Sequence, residues 1–166
     1  MIVLVMGLPG SGKSYFAERL AGELHAGYIN SDRLRKKMIS NRTYSEKEKE
    51  MVYDEMLVRM RDYILKKKDL VLDATFYRNR IRTKFREAAR EAGGLFYIEV
   101  QAAEPLIKER LSLARTDSEA DFKIYQSIQA AWEPVQEQHL LLQSTNDNIE
   151  LMLSRAKEYL HTIPND

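Results

Sequence analysis

Apolar positions follow two rhythms that take turns along the chain. Ile2-Val3-Leu4-Val5-Met6 is an unbroken apolar run, which is how a strand buried on both faces of a parallel sheet reads. Ser14 to Leu24 then spaces Phe16, Leu20 and Leu24 four residues apart, one face of a helix. Gly27-Tyr28-Ile29-Asn30 reads as a short second strand. Ser31 or Asp32 is placed to cap a helix running through Ser40, and Asn41 to Tyr44 is a loop. Ser45-Glu46-Lys47-Glu48 has the form of a capping box. The helix it opens is expected to reach about Lys67, with Tyr53, Met56, Leu57, Met60 and Ile64 on one face and the methionines as core filler. Leu70 to Ala74 is a third strand, and Arg78 to Ala92 a helix closed by Gly93-Gly94. Leu95 to Val100 is a fourth strand. Pro105 suits the first turn of a helix running through Arg110 toward Arg115. Thr116-Asp117-Ser118 interrupts it, and Glu119 to Trp132 forms a further helix, with Trp132 as core. His139 to Gln143 is a fifth strand, and Asn146 to His161 the last helix.

Strands that alternate with helices predict an α/β domain. The expected form is a three-layer sandwich whose five-stranded parallel sheet is covered on both faces, one domain over residues 1–166.

The turn after the first strand carries chemistry. Gly7-Leu8-Pro9-Gly10-Ser11-Gly12-Lys13-Ser14 fits G-x-x-x-x-G-K-[ST], the phosphate-binding loop, in the strand–loop–helix context that the motif requires. Its glycines permit backbone conformations closed to other residues. The exposed N–H groups and the following helix N-terminus suit an anionic phosphate. Lys13 supplies a mobile cation for the β- and γ-phosphates, and the Ser14 hydroxyl is a hard oxygen ligand for Mg²⁺. Gly7, Gly10, Ser11, Gly12, Lys13, Ser14 and Tyr15 are thus the expected contacts of ATP, and Ser14 with Asp73 the expected Mg²⁺ residues.

Composition narrows the partners. The 166 residues are 44% hydrophobic and 31% charged, with a net charge of +1 and no cysteine. Near-neutrality predicts no bulk attraction to nucleic acid or membrane, so such a partner needs a local patch. The lack of cysteine excludes disulfides, thiolate metal sites and thiol nucleophiles, and it fits a reducing cytoplasm. The phosphate loop begins too early to leave room for a signal peptide, and no apolar run reaches membrane-spanning length. A cytoplasmic protein without a membrane partner is expected.

Ligands of open α/β sheets bind outside the carboxyl ends of the strands. Asp32-Arg33-Leu34-Arg35 follows the second strand. Asp73 and Thr75 end the third, followed by Arg78, Arg80 and Arg82. Phosphoryl transfer to a hydroxyl needs a base for the acceptor, a metal, and cations around the transferring group. Asp73 closes an apolar strand as a Walker-B acid does and is assigned to the Mg²⁺ side. Asp32 is then the acceptor base, with Arg35 one helical turn away to hold a substrate anion. Thr75 and Arg78 complete the expected acceptor contacts. Arg110 and Arg115 fall where many phosphotransferases carry a lid whose arginines neutralise the transition state.

These residues make the chain resemble the P-loop kinases of the polynucleotide kinase and zeta-toxin group, described as AAA-type ATP-binding domains. The resemblance spans the chain and rests on Gly7 to Ser14, Ile29 to Arg35, Leu72-Asp73-Ala74-Thr75, and Arg110 with Arg115. It implies a kinase-type P-loop fold with a small helical lid, with Asp32 as general base and Arg35 on the acceptor's phosphate. The favoured acceptor is a polynucleotide 5′-hydroxyl, through the basic clusters Arg33-Arg35-Lys36-Lys37 and Arg78-Arg80-Arg82-Lys84 with Tyr44, Phe76 and Tyr77 for stacking. The alternatives are a small-metabolite or nucleotide-sugar kinase, and a nucleotide-binding ATPase module without an acceptor.

Overall fold

A computed structural model describes residues 1–113 and 121–162. Five strands, β1 (Ile2–Met6), β2 (Gly27–Asn30), β3 (Leu70–Asp73), β4 (Phe96–Gln101) and β5 (His139–Gln143), form one sheet in the order β2-β3-β1-β4-β5. Every pairing is parallel. This is the expected α/β sandwich.

The unbroken apolar strands follow from burial on two sides. Ile2, Leu4 and Met6 of β1 enter one core with Leu70, Leu72 and Tyr97, whereas Val3 and Val5 enter the other with Val71, Phe96 and Ile98. Helices α1 (Lys13–Glu23) and α7 (Ile149–Tyr159) cover the second face through Phe16, Leu20, Met152 and Leu153. Helices α3 (Glu46–Leu65) and α4 (Asn79–Ala89) cover the first through Val52, Met56, Met60, Ile81 and Phe85. Trp132 packs, partly buried, against that first core. Helices α2 (Ser31–Met38), α5 (Glu104–Ser112) and α6 (Phe122–Ala130) lie at the carboxyl rim, α5 and α6 in the expected lid region.

Several boundaries differ from expectation for local reasons. Asn30, not Ser31 or Asp32, caps α2, its side chain accepting from Arg33 N–H at 2.9 Å. Asp32 is thereby inside the first turn and relieved of capping. Helix α4 stops at Ala89 and tightens into a 3₁₀ turn over Arg90–Ala92 before Gly93 at φ 83°. Helix α7 starts at Ile149 rather than Asn146. The preceding stretch is held by side chains instead: Asn148 Oδ1 accepts from Thr145 N–H at 2.9 Å, and Asn148 Nδ2 donates to Gln143 O at 2.8 Å. Such local bonds compete with helix. Ser45 caps α3 by accepting from Glu48 N–H at 3.2 Å. The Glu48 side chain does not close the box on Ser45; it turns to Thr43 and Tyr44.

Candidate active site

The carboxyl ends of β1, β2 and β3 deliver their following residues to one rim. The loop after β1 closes with Ser11 N–H donating to Leu8 O at 3.1 Å. Gly12 at φ 88° caps α1 with no side-chain hydrogen bond, and no acidic residue occupies the first turn. The first N–H groups of α1 are therefore left for an anion, where the helix dipole favours it. Side chains at the two inner glycines have no room. A Cβ on Gly12 would lie 2.7 Å from Ser144 Oγ, and one on Gly10 2.9 Å from Ile107 Cγ2.

A cavity of about 660 Å³ opens over this loop, lined by Gly10, Gly12, Lys13, Ser14, Tyr15 and Asp32 on one side and by Ser144, Thr145, Asn148 and Ile149 on the other. Its volume suits a nucleotide-sized ligand. Arg110 spans it: Nη1 donates to Gly10 O at 3.2 Å and Ser144 Oγ at 3.1 Å, and Nη2 donates to Thr145 O at 3.1 Å. In this arrangement Arg110 braces the phosphate loop against the loop after β5. Arg115 lies outside the described residues. Tyr15 is exposed, with the Arg19 guanidinium 3.4 Å above its ring.

Ser14 and Asp73, the residues expected at the metal, converge through Asn30. Asp73 is fully buried; its Oδ2 accepts from Asn30 Nδ2 at 2.6 Å and from Tyr28 Oη at 2.7 Å. Asn30 Nδ2 also lies 3.3 Å from Ser14 Oγ. Burial first, then the Asp73 charge, pushes the Tyr28 phenol up, so it stays a donor. Among the described residues, Asp73 Oδ1 has no hydrogen-bond partner. A buried orphan carboxylate oxygen beside a serine hydroxyl is a hard-oxygen donor set of the kind Mg²⁺ uses, so the residues present fit that ion. Asn30 and Tyr28 were not singled out in the sequence. The signal available was a polar residue ending β2 in register with Asp73.

Asp32 sits half-buried beside Lys13 and Arg35. Burial raises its carboxyl above the ordinary range, against the lowering effect of both cations, and Asp73 adds to the rise. Arg35 Nη1 donates to Asp32 Oδ1 at 2.8 Å, and its Nε lies 3.3 Å from Glu48 Oε1. Glu48, itself buried, accepts at Oε2 from Thr43 N–H at 2.7 Å, Thr43 Oγ1 at 3.1 Å and Tyr44 N–H at 3.1 Å. Burial works to raise its carboxyl, but these bonds and the Arg35 charge outweigh it and hold it low. The same bonds pin Tyr44 at φ 56°, its ring 4.9 Å from the Arg35 guanidinium.

A second cavity, about 190 Å³, lies on this side. Asp32, Arg35, Tyr44, Asp73, Thr75 and Tyr77 line it, with Ile124 and Ile128 of α6 opposite. Thr75 is placed by its neighbours. Tyr53 Oη lies 3.2 Å from Thr75 Oγ1 and accepts from Phe76 N–H at 3.2 Å. Phe76, at φ 47°, tucks its ring into the core 5.2 Å from Phe85, so it offers no stacking face. Lys13, Ser14 and Asp32 line both cavities.

Arg78 is not brought to this cavity. It pairs with Glu46 at 3.2 Å, while Arg80 pairs with Glu50 and Lys84 with Asp54. Arg82 is fully buried and donates to Phe76 O at 2.8 Å and to Glu133 O and Pro134 O, each at 3.0 Å. Each member of this basic cluster thus has protein partners. Arg33 of the other cluster pairs with Glu18 at 2.9 Å. Among the described residues no helix is long and apolar enough to cross a membrane.

Sheet order, phosphate loop and rim together define a P-loop NTPase of the kinase architecture. A family profile described as an AAA domain matches residues 2–135, and the chain belongs to that family. No curated protein matches it. Among solved structures it is similar to a sugar kinase from Janibacter sp., with 19% identity, a TM-score of 0.74, and coverage of 98% of this chain and 95% of that one. It is similar also to a gluconokinase from Sinorhizobium meliloti, with 21% identity, a TM-score of 0.69, and coverage of 96% and 94%. A third is the Mycobacterium tuberculosis APS kinase in complex with AMPPNP and APS, with 17% identity, a TM-score of 0.72, and coverage of 97% of each chain. At these identities the likeness is one of fold.

Proposed function

We propose that the protein is an ATP-dependent kinase that phosphorylates a hydroxyl of a small molecule. The observation that carries this reading is the shared wall: Lys13, Ser14 and Asp32 border both the nucleotide-sized cavity and the smaller one beyond it. A phosphoryl group on that boundary is reached by an acceptor from the second cavity. The smaller cavity, about 190 Å³, lies below the usual size of drug-like sites, which begin at roughly 300 Å³. It suits a metabolite better than a polynucleotide, and the paired basic cluster supports the same choice. A module that only hydrolyses or senses nucleotide has no use for a second cavity with a carboxylate at its mouth.

In this mechanism the first-turn N–H groups of α1 and Lys13 hold the nucleotide's phosphates. Ser14 and Asp73 Oδ1 would hold Mg²⁺, which supplies charge neutralisation at the transferring phosphoryl group when bound. Asp32 accepts the proton of the acceptor hydroxyl as its oxygen forms the new bond to phosphorus. The bond from phosphorus to the bridging oxygen breaks, and ADP leaves. A raised carboxyl favours this role, because a base works best with its pKa nearer the working pH. Arg35 orients Asp32. The test is Lys13→Ala assayed for ATP-dependent phosphorylation of a metabolite panel. Near-complete loss in a protein with unchanged circular dichroism supports the reading; near-wild-type turnover removes it.

A further inference from the structure

We infer that the acceptor is an uncharged polyol of monosaccharide size, an inference that rests on the kinase reading above. The second cavity presents three cations. Lys13 belongs to the phosphate loop. Arg35 is held between two carboxylates, Asp32 at 2.8 Å and Glu48 at 3.3 Å. Lys49 pairs with Glu46 at 3.1 Å, and Glu46 also meets Arg78 at 3.2 Å. The Arg35 group carries one net negative charge and the Lys49 group one net positive charge, so the acceptor wall is balanced before any substrate arrives.

An anionic acceptor would have to share the Arg35 guanidinium with Asp32 and with Glu48. The Glu48 carboxylate is buried and fixed by three hydrogen bonds from Thr43 and Tyr44. It cannot swing out to water, and leaving it unpaired is costly. An incoming anion would also face Asp32 and the orphan oxygen of Asp73. The other lining groups are neutral: hydroxyls of Ser31, Thr75 and Ser127, and the side chains of Tyr44 and Tyr77. Hydroxyl donors and acceptors between amphipathic rings suit a polyol.

The test measures ATP-dependent phosphorylation of matched pairs: hexoses against their uronates, and pentoses against their 5-phosphates. Calorimetry of Mg·ATP binding runs beside it. A neutral member is expected to be phosphorylated with at least about tenfold higher kcat/KM than its anionic counterpart. Glu46→Gln, outside the lining, frees Lys49 and Arg78. It should raise the rate on the anionic member up to about fivefold, the scale of one partly exposed ion pair, and leave the neutral one unchanged. Preference for the anionic member, or no response to Glu46→Gln, overturns the inference while the kinase reading stands. Mg·ATP binding with no transfer to any member of these pairs overturns the polyol inference, and no transfer across the wider metabolite panel overturns the kinase reading as well.

Discussion

Arg35 donates to Asp32 across 2.8 Å while its Nε faces Glu48 at 3.3 Å. One guanidinium thus ties the first turn of α2 to the start of α3. It aims the Asp32 carboxylate at the boundary between the two cavities, and Glu48 secures the guanidinium from behind. The loop from Thr43 to Tyr44, fastened to the same Glu48, shapes the wall of the second cavity.

The pH dependence follows from Asp32. Its carboxyl is raised, chiefly by burial, and the base must be deprotonated to accept a proton. Acceptor kcat/KM should therefore fall as pH drops through a value above the ordinary carboxylate range. Arg35→Met removes a cation that favours the charged form, so the acid limb should move up by at least about one pH unit. The measurement is a pH–rate profile of both proteins. An unmoved limb would show that another group controls it.

The metal side has its own signature. Asp73→Asn removes the orphan oxygen, so turnover should need much more Mg²⁺ while nucleotide binding without metal is unchanged. Asn30→Ala should act on two levels. It deletes the cap of α2, costing about 1 kcal/mol, and removes one of the two donors to Asp73 Oδ2, leaving Tyr28 Oη. A Mg²⁺ titration of activity combined with urea unfolding separates the two effects. Unaltered Mg²⁺ response in Asp73→Asn would reassign that residue.

The fold was legible because β1 and most of β3 are continuously apolar and the breaks between elements carry Gly, Pro or capping residues. The phosphate loop was legible because backbone geometry demands glycine at fixed spacing. The residues that organise the rim were not. Asn30, Tyr28 and Glu48 act across β2, β3 and the start of α3, and no local spacing announces such contacts. Asn30 and Asp73 are 43 positions apart in sequence. Arg82 shows the opposite failure. In sequence it belongs to a basic run, yet helical periodicity turns it inward beside Ile81 and Phe85, where three carbonyls take its charge.

Arg82 is therefore a stability residue. Burial pulls its guanidinium down, with Glu137 and Glu133 opposing. Arg82→Met should strand three carbonyls and destabilise the fold by about 3 kcal/mol. Arg80→Met, one exposed pair removed, should leave the urea midpoint nearly unchanged. Equal effects would contradict the distinction between the two arginines.

The central claim is that Asp32 is the acceptor base at the junction of the two cavities. Its most direct test is Asp32→Asn, with Mg·ATP affinity by calorimetry and acceptor-dependent transfer by single-turnover kinetics on the same preparation. The account predicts affinity within about threefold of wild type and transfer slowed by roughly 10²–10⁴, the usual worth of a general base. Transfer at the wild-type rate, or a loss explained wholly by weaker nucleotide binding, would contradict it.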